Sequence, residues 1–283
     1  MRKKKAIFFL ILSAVLWSLG GVLIKIVDLN PIAIAGTRSA IASLVILIYL
    51  KKIKPSFNPI QITGALFYSG TVILFVLANK LTTAANAILL QYGAPLYVAL
   101  LSYPILKEKV DRIDWIAILL MLIGIYIFFL DELQFNNFIG NIIAILSGIN
   151  FAFFIIFMRK QKDNSPINSV LLGNIITALI GLPFIIRSFN LINLKNFIGL
   201  TLLGTIQIGI SYILYSIAIK EVSALEGALI PMIEPILNPI WVFLAIGEIP
   251  GKYSLLGGSI ILATVSLRYL YPAIKNRYDK IYL

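Results

Sequence analysis

The sequence predicts an all-α membrane protein with ten transmembrane helices in two inverted five-helix repeats. Three observations support this fold class. Of the 283 residues, 60% are hydrophobic and only 13% are charged, a composition that would leave a soluble domain with a largely apolar surface. Apolar runs of about 20 residues, long enough to cross a bilayer, recur along the chain. The two halves of the chain also align with each other.

Ten apolar runs are long enough to span the membrane, and the loops between them are short. No linker or charged tract is long enough to form a separate soluble domain. The first run exceeds the apolar core of about 7 to 15 residues in a cleavable signal peptide, so we expect it to be a transmembrane helix. The predicted helices cover 6–27, 31–50, 59–79, 81–106, 113–130, 138–158, 168–186, 197–219, 222–247 and 253–271.

The distribution of lysine and arginine orients these helices, because basic residues favour the cytoplasmic side. With the amino terminus in the cytoplasm, 18 of the 24 basic residues fall in cytoplasmic segments, 5 fall outside, and Arg38 lies within the second helix. We therefore expect a multi-pass protein of the cytoplasmic membrane with both termini in the cytoplasm. The net charge of +12 lies in short clusters that suit lipid headgroups, so no nucleic-acid partner is expected.

The absence of cysteine and histidine narrows the chemistry that the chain can perform. It excludes disulfides, metal sites built from cysteine or histidine, thiol catalysis and imidazole acid–base catalysis. The sequence also lacks a paired-carboxylate motif and a glycine-rich phosphate loop. We therefore expect no cofactor, no metal site and no catalytic residues, and we do not expect an enzyme.

An internal repeat relates the two halves of the chain. An offset of 140 residues aligns Pro95 with Pro235 and also aligns Gly64 with Gly204. Near the start of each half, an offset of 134 aligns LILSAVLWS at 10–18 with AILSGINFA at 144–152. Five helices per half is an odd number, so the second copy enters the membrane in the opposite direction, as in many transporters. The predicted units are repeats at 1–131 and 137–272, followed by a cytoplasmic tail at 273–283.

Several short motifs resemble those of a known family. They are LWS at 16–18, the arginine of the second helix, Arg38, and the sequences LKEK and IGEI at the ends of the fourth and ninth helices. Together with the two five-helix halves, they resemble the ten-helix drug/metabolite transporter superfamily, specifically its EamA family. The segment 78–101 is similar to a bacterial EamA-type permease. Phe151 stands where this family commonly has a second tryptophan, so a role for Trp17 need not be mirrored.

The resemblance implies transport, and family members move amino acids, metabolites, cations or drugs. We expect a secondary active transporter that exports a small metabolite, amino acid or drug-like compound by alternating access. The expected partners are this small-molecule substrate, the lipid bilayer and a proton or another ion, with the chain a monomer or homodimer. A membrane channel or sensor is the alternative, and a membrane enzyme is less favoured.

The ninth helix carries two acids and three prolines. Glu226 lies near its cytoplasmic end and is expected to be solvated, whereas Glu234 lies near the middle of the membrane, where a carboxyl group needs a partner, a proton or a cavity. Glu234 is the candidate for proton coupling. Each proline frees the backbone carbonyl four residues earlier. The carbonyl groups freed by Pro231, Pro235 and Pro239 are those of Gly227, Pro231 and Pro235. In the fourth helix, Pro95 frees the carbonyl of Gln91, which is expected to face a ligand.

Polar side chains three or four residues apart on several helices predict one central cavity. The alternative is that such side chains only bridge neighbouring helices, that Arg38 reaches outer water or forms a gating pair, and that Trp241 anchors the helix at the membrane interface. The candidate substrate-binding residues are Trp17, Arg38, Gln91, Tyr92, Asn150, Gln207, Ser211, Tyr215, Glu234, Asn238 and Trp241.

Overall fold

The computed structural model describes residues 2–51, 58–130, 137–191, 193–237, 241 and 251–282, with the side chains of 85 and 269–282 left undescribed. In this part of the chain every regular element is a helix, which confirms the all-α fold class. The predicted ninth helix is described only as far as residue 237 and at residue 241. Asn238 therefore lies outside the described residues.

In its described residues, the first half contains seven helical segments that form five passes. Asparagine followed by proline starts two of them: the Asn30 and Asn58 side chains accept hydrogen bonds from Ile32 N and Ile60 N, and the proline takes the first helical position. The helices are α1 (Arg2–Trp17), α2 (Gly20–Ile26), α3 (Pro31–Leu50), α4 (Pro59–Leu81), α5 (Ala84–Gln91), α6 (Ala94–Leu106) and α7 (Arg112–Phe128).

The second half follows the same order with different interruptions. Its fourth pass begins with a capping box, in which Ser223 and Glu226 accept each other's backbone N–H groups. The last helix continues through most of the predicted tail at 273–283. The elements are α8 (Phe138–Lys160), α9 (Pro166–Ser188), a 3₁₀ turn (Phe189–Leu191), α10 (Leu194–Leu202), a π-helix (Leu203–Ile210), α11 (Ser211–Ala218), α12 (Ala224–Leu229), a 3₁₀ turn (Ile230–Ile233) and α13 (Lys252–Tyr282).

The surface of the bundle is that of a membrane protein. Within the described chain, seven helical spans are long and apolar enough to cross a bilayer. Large apolar side chains point away from the protein, including Ile48 at 77% exposure and Phe138 at 72%. Water would make such a surface costly, so lipid must cover it. At 17 residues, α7 lies at the lower end of the range for a spanning helix.

Contacts between helices repeat when the two halves are exchanged. The first pass of each half packs against the third pass of the other half, as α1 on α11 and α8 on α4. The fourth pass of each half likewise packs on the first pass of the other, and the two second passes, α3 and α9, pack on each other. This exchange is expected of two repeats related by a pseudo-two-fold axis.

Two serine hydroxyl groups show the same symmetry at atomic level. Ser13 Oγ donates to the backbone carbonyl of Ser211 at 3.0 Å, and Ser147 Oγ donates to the carbonyl of Thr71 at 3.2 Å. The two donors are separated by the offset of 134 residues and the two acceptors by the offset of 140. The repeat alignment read from the sequence is therefore confirmed by equivalent contacts.

A pair of glycines brings the two second passes into direct backbone contact. A Cβ atom added to Gly36 would lie 2.7 Å from Gly181 Cα, and one added to Gly181 would lie 2.6 Å from Gly36 Cα. Small residues allow this approach between membrane helices. Because Gly36 lies two residues before Arg38, the contact fixes α3 where that side chain enters the interior.

Candidate functional site

A narrow cavity lies between the two repeats. Its volume is about 40 Å³, which is room for about three water molecules. Helices of both halves contribute to its wall, and charged, polar and aromatic side chains all face it. The lining residues are Trp17, Arg38, Thr71, Val72, Phe75, Gln91, Tyr92, Phe151, Gln207, Ile208, Tyr212 and Glu234.

The passes that line the cavity depart from regular α-helix next to it. Helix α1 ends at Trp17 and α2 starts at Gly20, while α5 ends at Gln91 and α6 starts at Ala94. Gln207 lies within the π-helix. Discontinuous membrane helices are tolerated where the backbone lines a cavity or is covered by protein, and π-helical turns often occur at functional sites. The interrupted helices therefore indicate that this cavity is the candidate site.

Two of the carbonyl groups freed by proline are satisfied by tyrosine. The Tyr215 hydroxyl donates to the carbonyl of Gly227 at 3.2 Å, and the Tyr92 hydroxyl donates to the carbonyl of Pro231 at 3.0 Å. The carbonyl of Gln91, freed by Pro95 in the fourth pass, was expected to face a ligand. It instead packs against α8, where a Cβ atom added to Gly148 would lie 2.8 Å from it. The freed carbonyls are thus part of the packing between helices.

Arg38 is the positively charged group of the cavity. Its side chain is buried, with the residue 2% exposed, so the alternative that it reaches outer water is wrong. Its Nη1 atom donates to Gln207 Oε1 at 3.3 Å and its Nη2 atom to the Val72 carbonyl at 3.2 Å. Among the described residues, no carboxylate lies within ion-pair distance of it. Within the described chain, neutral acceptors hold the guanidinium in place.

Unpaired donors are concentrated on the cavity wall. Four buried polar atoms in the described part of the chain lack a hydrogen-bond partner, and two of them, Arg38 Nε and Trp17 Nε1, belong to cavity residues. A buried donor without a partner costs about 1 to 3 kcal/mol. The cavity therefore has two donors that would gain from an acceptor.

Glu234 contributes the acidic group. Its Oε2 atom lies 2.6 Å from the Tyr92 hydroxyl, which also lies 3.0 Å from the Pro231 carbonyl. Within the described chain, it belongs to no group of three acidic side chains that could hold a metal ion. The carboxyl group thus lies on the cavity wall and is bonded to the fourth pass.

The structure brings together six of the eleven candidate residues. These six line the cavity and come from five different passes: Trp17, Arg38, Gln91, Tyr92, Gln207 and Glu234.

Three candidates do not line the cavity, because the helices present neighbouring residues instead. Ser211 donates to carbonyls of the preceding π-helix, Tyr215 donates to the Gly227 carbonyl, and Asn150 donates to the Leu146 carbonyl. A regular α-helix would align Gln207, Ser211 and Tyr215, but the wider π turn rotates the following residues. Successive side chains on an α-helix point in directions about 100° apart. Phe151 faces the cavity, so its neighbour Asn150 points away from it.

Trp241 also makes a contact outside the cavity wall. Its Nε1 atom donates to Ser18 Oγ at 2.8 Å. Ser18 lies in the break between α1 and α2, so the bond joins the ninth pass to the first beside Trp17. The prediction that Trp241 lines the cavity is therefore corrected, since it is not among the lining residues.

Three lining residues that were not among the candidates belong to pairs related by the repeat. Phe151 is the equivalent of Trp17 at the offset of 134, and Val72 is the equivalent of Tyr212 at the offset of 140. Both members of each pair line the cavity. The sequence placed Phe151 opposite Trp17 but did not predict that it lines the cavity, whereas Val72 and Tyr212 needed the position of the axis.

Charged contacts join four passes at one end of the bundle. Glu108 Oε1 accepts from Arg159 Nε at 2.7 Å, and its Oε2 accepts from the backbone N of Ala224 at 2.8 Å. Arg159 also donates to the carbonyls of Ile219 and Lys220, at 3.2 and 2.7 Å. The ends of α6, α8, α11 and α12 are thereby tied together.

Glu226 lies near the same end and is buried. The residue is 7% exposed, and its Oε1 atom lies 2.7 Å from Lys3 Nζ. The expectation that it is solvated is therefore wrong, because helix packing covers it and an ion pair with α1 replaces water.

Two lysines make reciprocal contacts at the opposite end. Lys25 Nζ donates to the Thr82 carbonyl at 3.0 Å, and Lys80 Nζ donates to the Val27 carbonyl at 2.8 Å. Each lysine thus satisfies a carbonyl at the end of the other helix, so α2 and α4 are held together.

A larger apolar groove of about 310 Å³ lies between α7 and α13. Its wall includes exposed Ile116 and Leu267, and Arg268 at its edge is paired with Asp114. The groove is lined mainly by apolar side chains and belongs to the lipid-facing surface.

A membrane bundle of two repeats around a polar cavity is the architecture of a transporter. The sequence pattern of the EamA-like transporter family matches residues 4–130 and 138–270, one match for each repeat. The chain belongs to this family, and its function is transport.

Relatives of similar length support this membership. The chain is 28% identical over 265 residues to an uncharacterized transporter of Archaeoglobus fulgidus, covering 92% of this chain and 94% of that protein. It is 25% identical over 265 residues to the uncharacterized transporter YdfC of Bacillus subtilis, covering 90% and 86%. A solved crystal structure matches with a TM-score of 0.79 and 16% identity, covering 95% of this chain and 98% of that one, which shows a shared fold.

Proposed function

We propose that this transporter is a secondary active exporter of a small metabolite, amino acid or drug-like compound, and that it works by alternating access around the central cavity. The observation that supports this is one cavity walled by both repeats, with Arg38 and Glu234 among its lining residues. We place the repeats at 1–131 and 137–272. Both termini lie in the cytoplasm in this proposal.

Alternating access accounts for the narrowness of the cavity. About 40 Å³ is too small for a metabolite, whereas ligand sites commonly measure about 300 to 1,000 Å³. Substrate entry therefore requires the passes to separate. With the proposed orientation, the contacts of Glu108 and Arg159 lie on the cytoplasmic side and hold that end closed in this conformation.

Proton coupling rests on the hydrogen bonds around Glu234. The Tyr92 hydroxyl has one proton but lies within bonding distance of two oxygens, Glu234 Oε2 and the Pro231 carbonyl. Two full hydrogen bonds form at the same time when Glu234 carries a proton and donates it to Tyr92, whose own proton then goes to the Pro231 carbonyl. In this proposal the conformation with both contacts is the protonated one.

Loss of the proton would change the contact between two passes. An ionised Glu234 only accepts hydrogen bonds, so it would take the Tyr92 hydroxyl from the Pro231 carbonyl. The other titratable or charged groups on the wall of the same cavity are Arg38 from α3 and Tyr212 from α11. Proton exchange at Glu234 would therefore bias how the fourth pass meets the ninth, which is what coupling to transport requires.

Purified protein in lipid vesicles containing a pH-sensitive dye tests this proposal. A panel of amino acids and small metabolites is added to one side, and substrate-dependent proton movement is recorded. We expect proton flux with the native protein and its loss in Glu234→Gln, which keeps the shape of the side chain. Glu221→Gln, at an exposed acid in the turn before α12, is the matched control. Equal, pH-dependent transport by Glu234→Gln would show that the carboxyl group is only structural.

A further inference from the structure

The geometry points to a carboxylate as the group by which this cavity recognises its substrate, attached to a compact apolar body. This inference rests on the proposed function, because it assigns the ligand chemistry of the same cavity. It depends on the unpaired donors and on the balance of charge among the lining residues.

Arg38 supplies the first part of the argument. It is the only positively charged side chain among the described lining residues, and its Nε–H has no partner. A buried cation without a counter-ion is unfavourable, whereas a planar carboxylate matches the fork of the guanidinium group. Gln207 and the Val72 carbonyl hold Nη1 and Nη2, so the remaining edge is presented by a side chain that is already fixed in position.

Trp17 supplies a second donor from another pass. Its indole Nε1–H is buried and unpaired, and its ring packs against Tyr212 at a centroid distance of 4.9 Å. The ring therefore cannot turn freely to find another acceptor. When the cavity opens, an anion with two oxygens can accept from both Trp17 and Arg38.

The remaining wall limits the charge and the body of the ligand. With Glu234 protonated, the one guanidinium group balances one negative charge, and the described lining residues offer no second cation for a doubly charged ligand. Phosphate, with about two charges and more acceptor oxygens, would lack donors here. Phe75, Phe151 and Ile208 provide apolar surface for the rest of the molecule. A monocarboxylate with an apolar body satisfies all three conditions.

Paired probes test the inference on purified full-length protein in detergent. Phenylacetate and 4-methylpentanoate are compared with their primary amides by calorimetric titration at concentrations up to about 10 mM, which covers weak affinities. The members of each pair have nearly the same shape and differ in charge. We expect both carboxylates to bind at least about tenfold more tightly than their amides. Equal binding within the pairs, or no carboxylate binding in this range, would overturn the inference.

Variants of Arg38 and Trp17 then test whether these two donors cause the preference for carboxylate over amide. Arg38→Lys keeps a positive charge but removes the planar fork, and Trp17→Phe keeps an aromatic ring but removes the N–H. Each is expected to weaken carboxylate binding by about tenfold while changing amide binding little. Arg187→Lys, at an exposed arginine near the end of α9, is the control for Arg38→Lys. Unchanged discrimination in a folded Trp17→Phe protein would contradict the assignment even if Arg38→Lys does not fold.

The outcome is separable from that of the proposed function. Proton-coupled transport of compounds without a carboxylate, with no binding of either acid, would overturn the carboxylate inference and leave the transport mechanism in place. Carboxylate binding without proton-coupled transport would overturn the proposed transport mechanism and leave the carboxylate inference in place.

Discussion

The rings of Trp17 and Phe151 meet nearly edge to face, with centroids 6.0 Å apart and an angle of 76° between their planes. The two residues occupy equivalent positions of the two repeats, and both line the cavity. Equivalent residues can touch only near the axis that relates the repeats. The cavity therefore lies at this axis, where two helices can approach or separate symmetrically. The second repeat uses a phenylalanine for the position that the first fills with tryptophan.

Removing the Tyr92 hydroxyl should separate proton coupling from packing. In Tyr92→Phe, Glu234 loses its partner at 2.6 Å and the Pro231 carbonyl loses one donor. We expect a reduction of about tenfold in transport and a changed pH profile, measured in vesicles. Tyr215→Phe removes a similar bond to Gly227 away from the cavity and should cost about 1 kcal/mol of stability without changing the pH profile. The same pH profile in Tyr92→Phe and the native protein would argue against the role of Tyr92.

Two adjacent glycines, Gly20 and Gly21, provide a matched pair of variants that tests whether the position of Gln207 matters for ligand binding. A Cβ atom added to Gly20 would lie 2.9 Å from Gln207 Nε2, whereas one added to Gly21 would meet only atoms of Ala84 and Ile88 at 3.8 Å. Gly20→Ala should displace Gln207 and loosen its bond to Arg38, reducing ligand affinity by about tenfold. Gly21→Ala should bind like the native protein. The measurement is calorimetric titration, and similar affinities for the two variants would contradict this relationship.

Breaking the pair between Glu108 and Arg159 should open one end of the bundle. Glu108→Gln weakens a charge-assisted bond worth on the order of 2 kcal/mol, equivalent to about a thirtyfold change in population. We expect faster labelling of a cysteine at position 91 by an impermeant thiol reagent from the cytoplasmic side. Lys3→Gln, which breaks a pair with a largely exposed lysine, should have a smaller effect. Equal labelling rates in Glu108→Gln and the native protein would show that the pair does not control access.

Cysteine labelling also tests the orientation directly, because the chain has no native thiol. Single cysteines at Lys52, Arg112 and Lys160 should react from the cytoplasm, and those at Asp131, Arg187 and Lys252 from outside. Lys52 and Asp131 lie outside the described residues, so the experiment reaches segments that the structure does not describe. Labelling of position 131 only from the cytoplasm would reverse the proposed topology.

The sequence alone determined the fold class, the repeats and the presence of a buried acid beside broken helices. These features depend on local composition, since bilayer thickness sets the length of an apolar run and proline always removes a backbone donor. The offsets of 134 and 140 could be read by aligning the chain with itself. Glu234, Gln91 and Tyr92 could be identified as candidate residues because each lies close to a proline that breaks its helix.

Only the tertiary structure decided which helical faces meet. The π-helix before Ser211 shifts the register, so Tyr212 rather than Ser211 and Tyr215 faces the cavity. Periodicity in the sequence assumes regular turns and cannot reveal such a shift. The partners of Arg38 and the covering of Glu226 also depend on residues far away in the chain. A side chain's own sequence neighbours do not specify what packs against it, because that is set by how the two repeats come together.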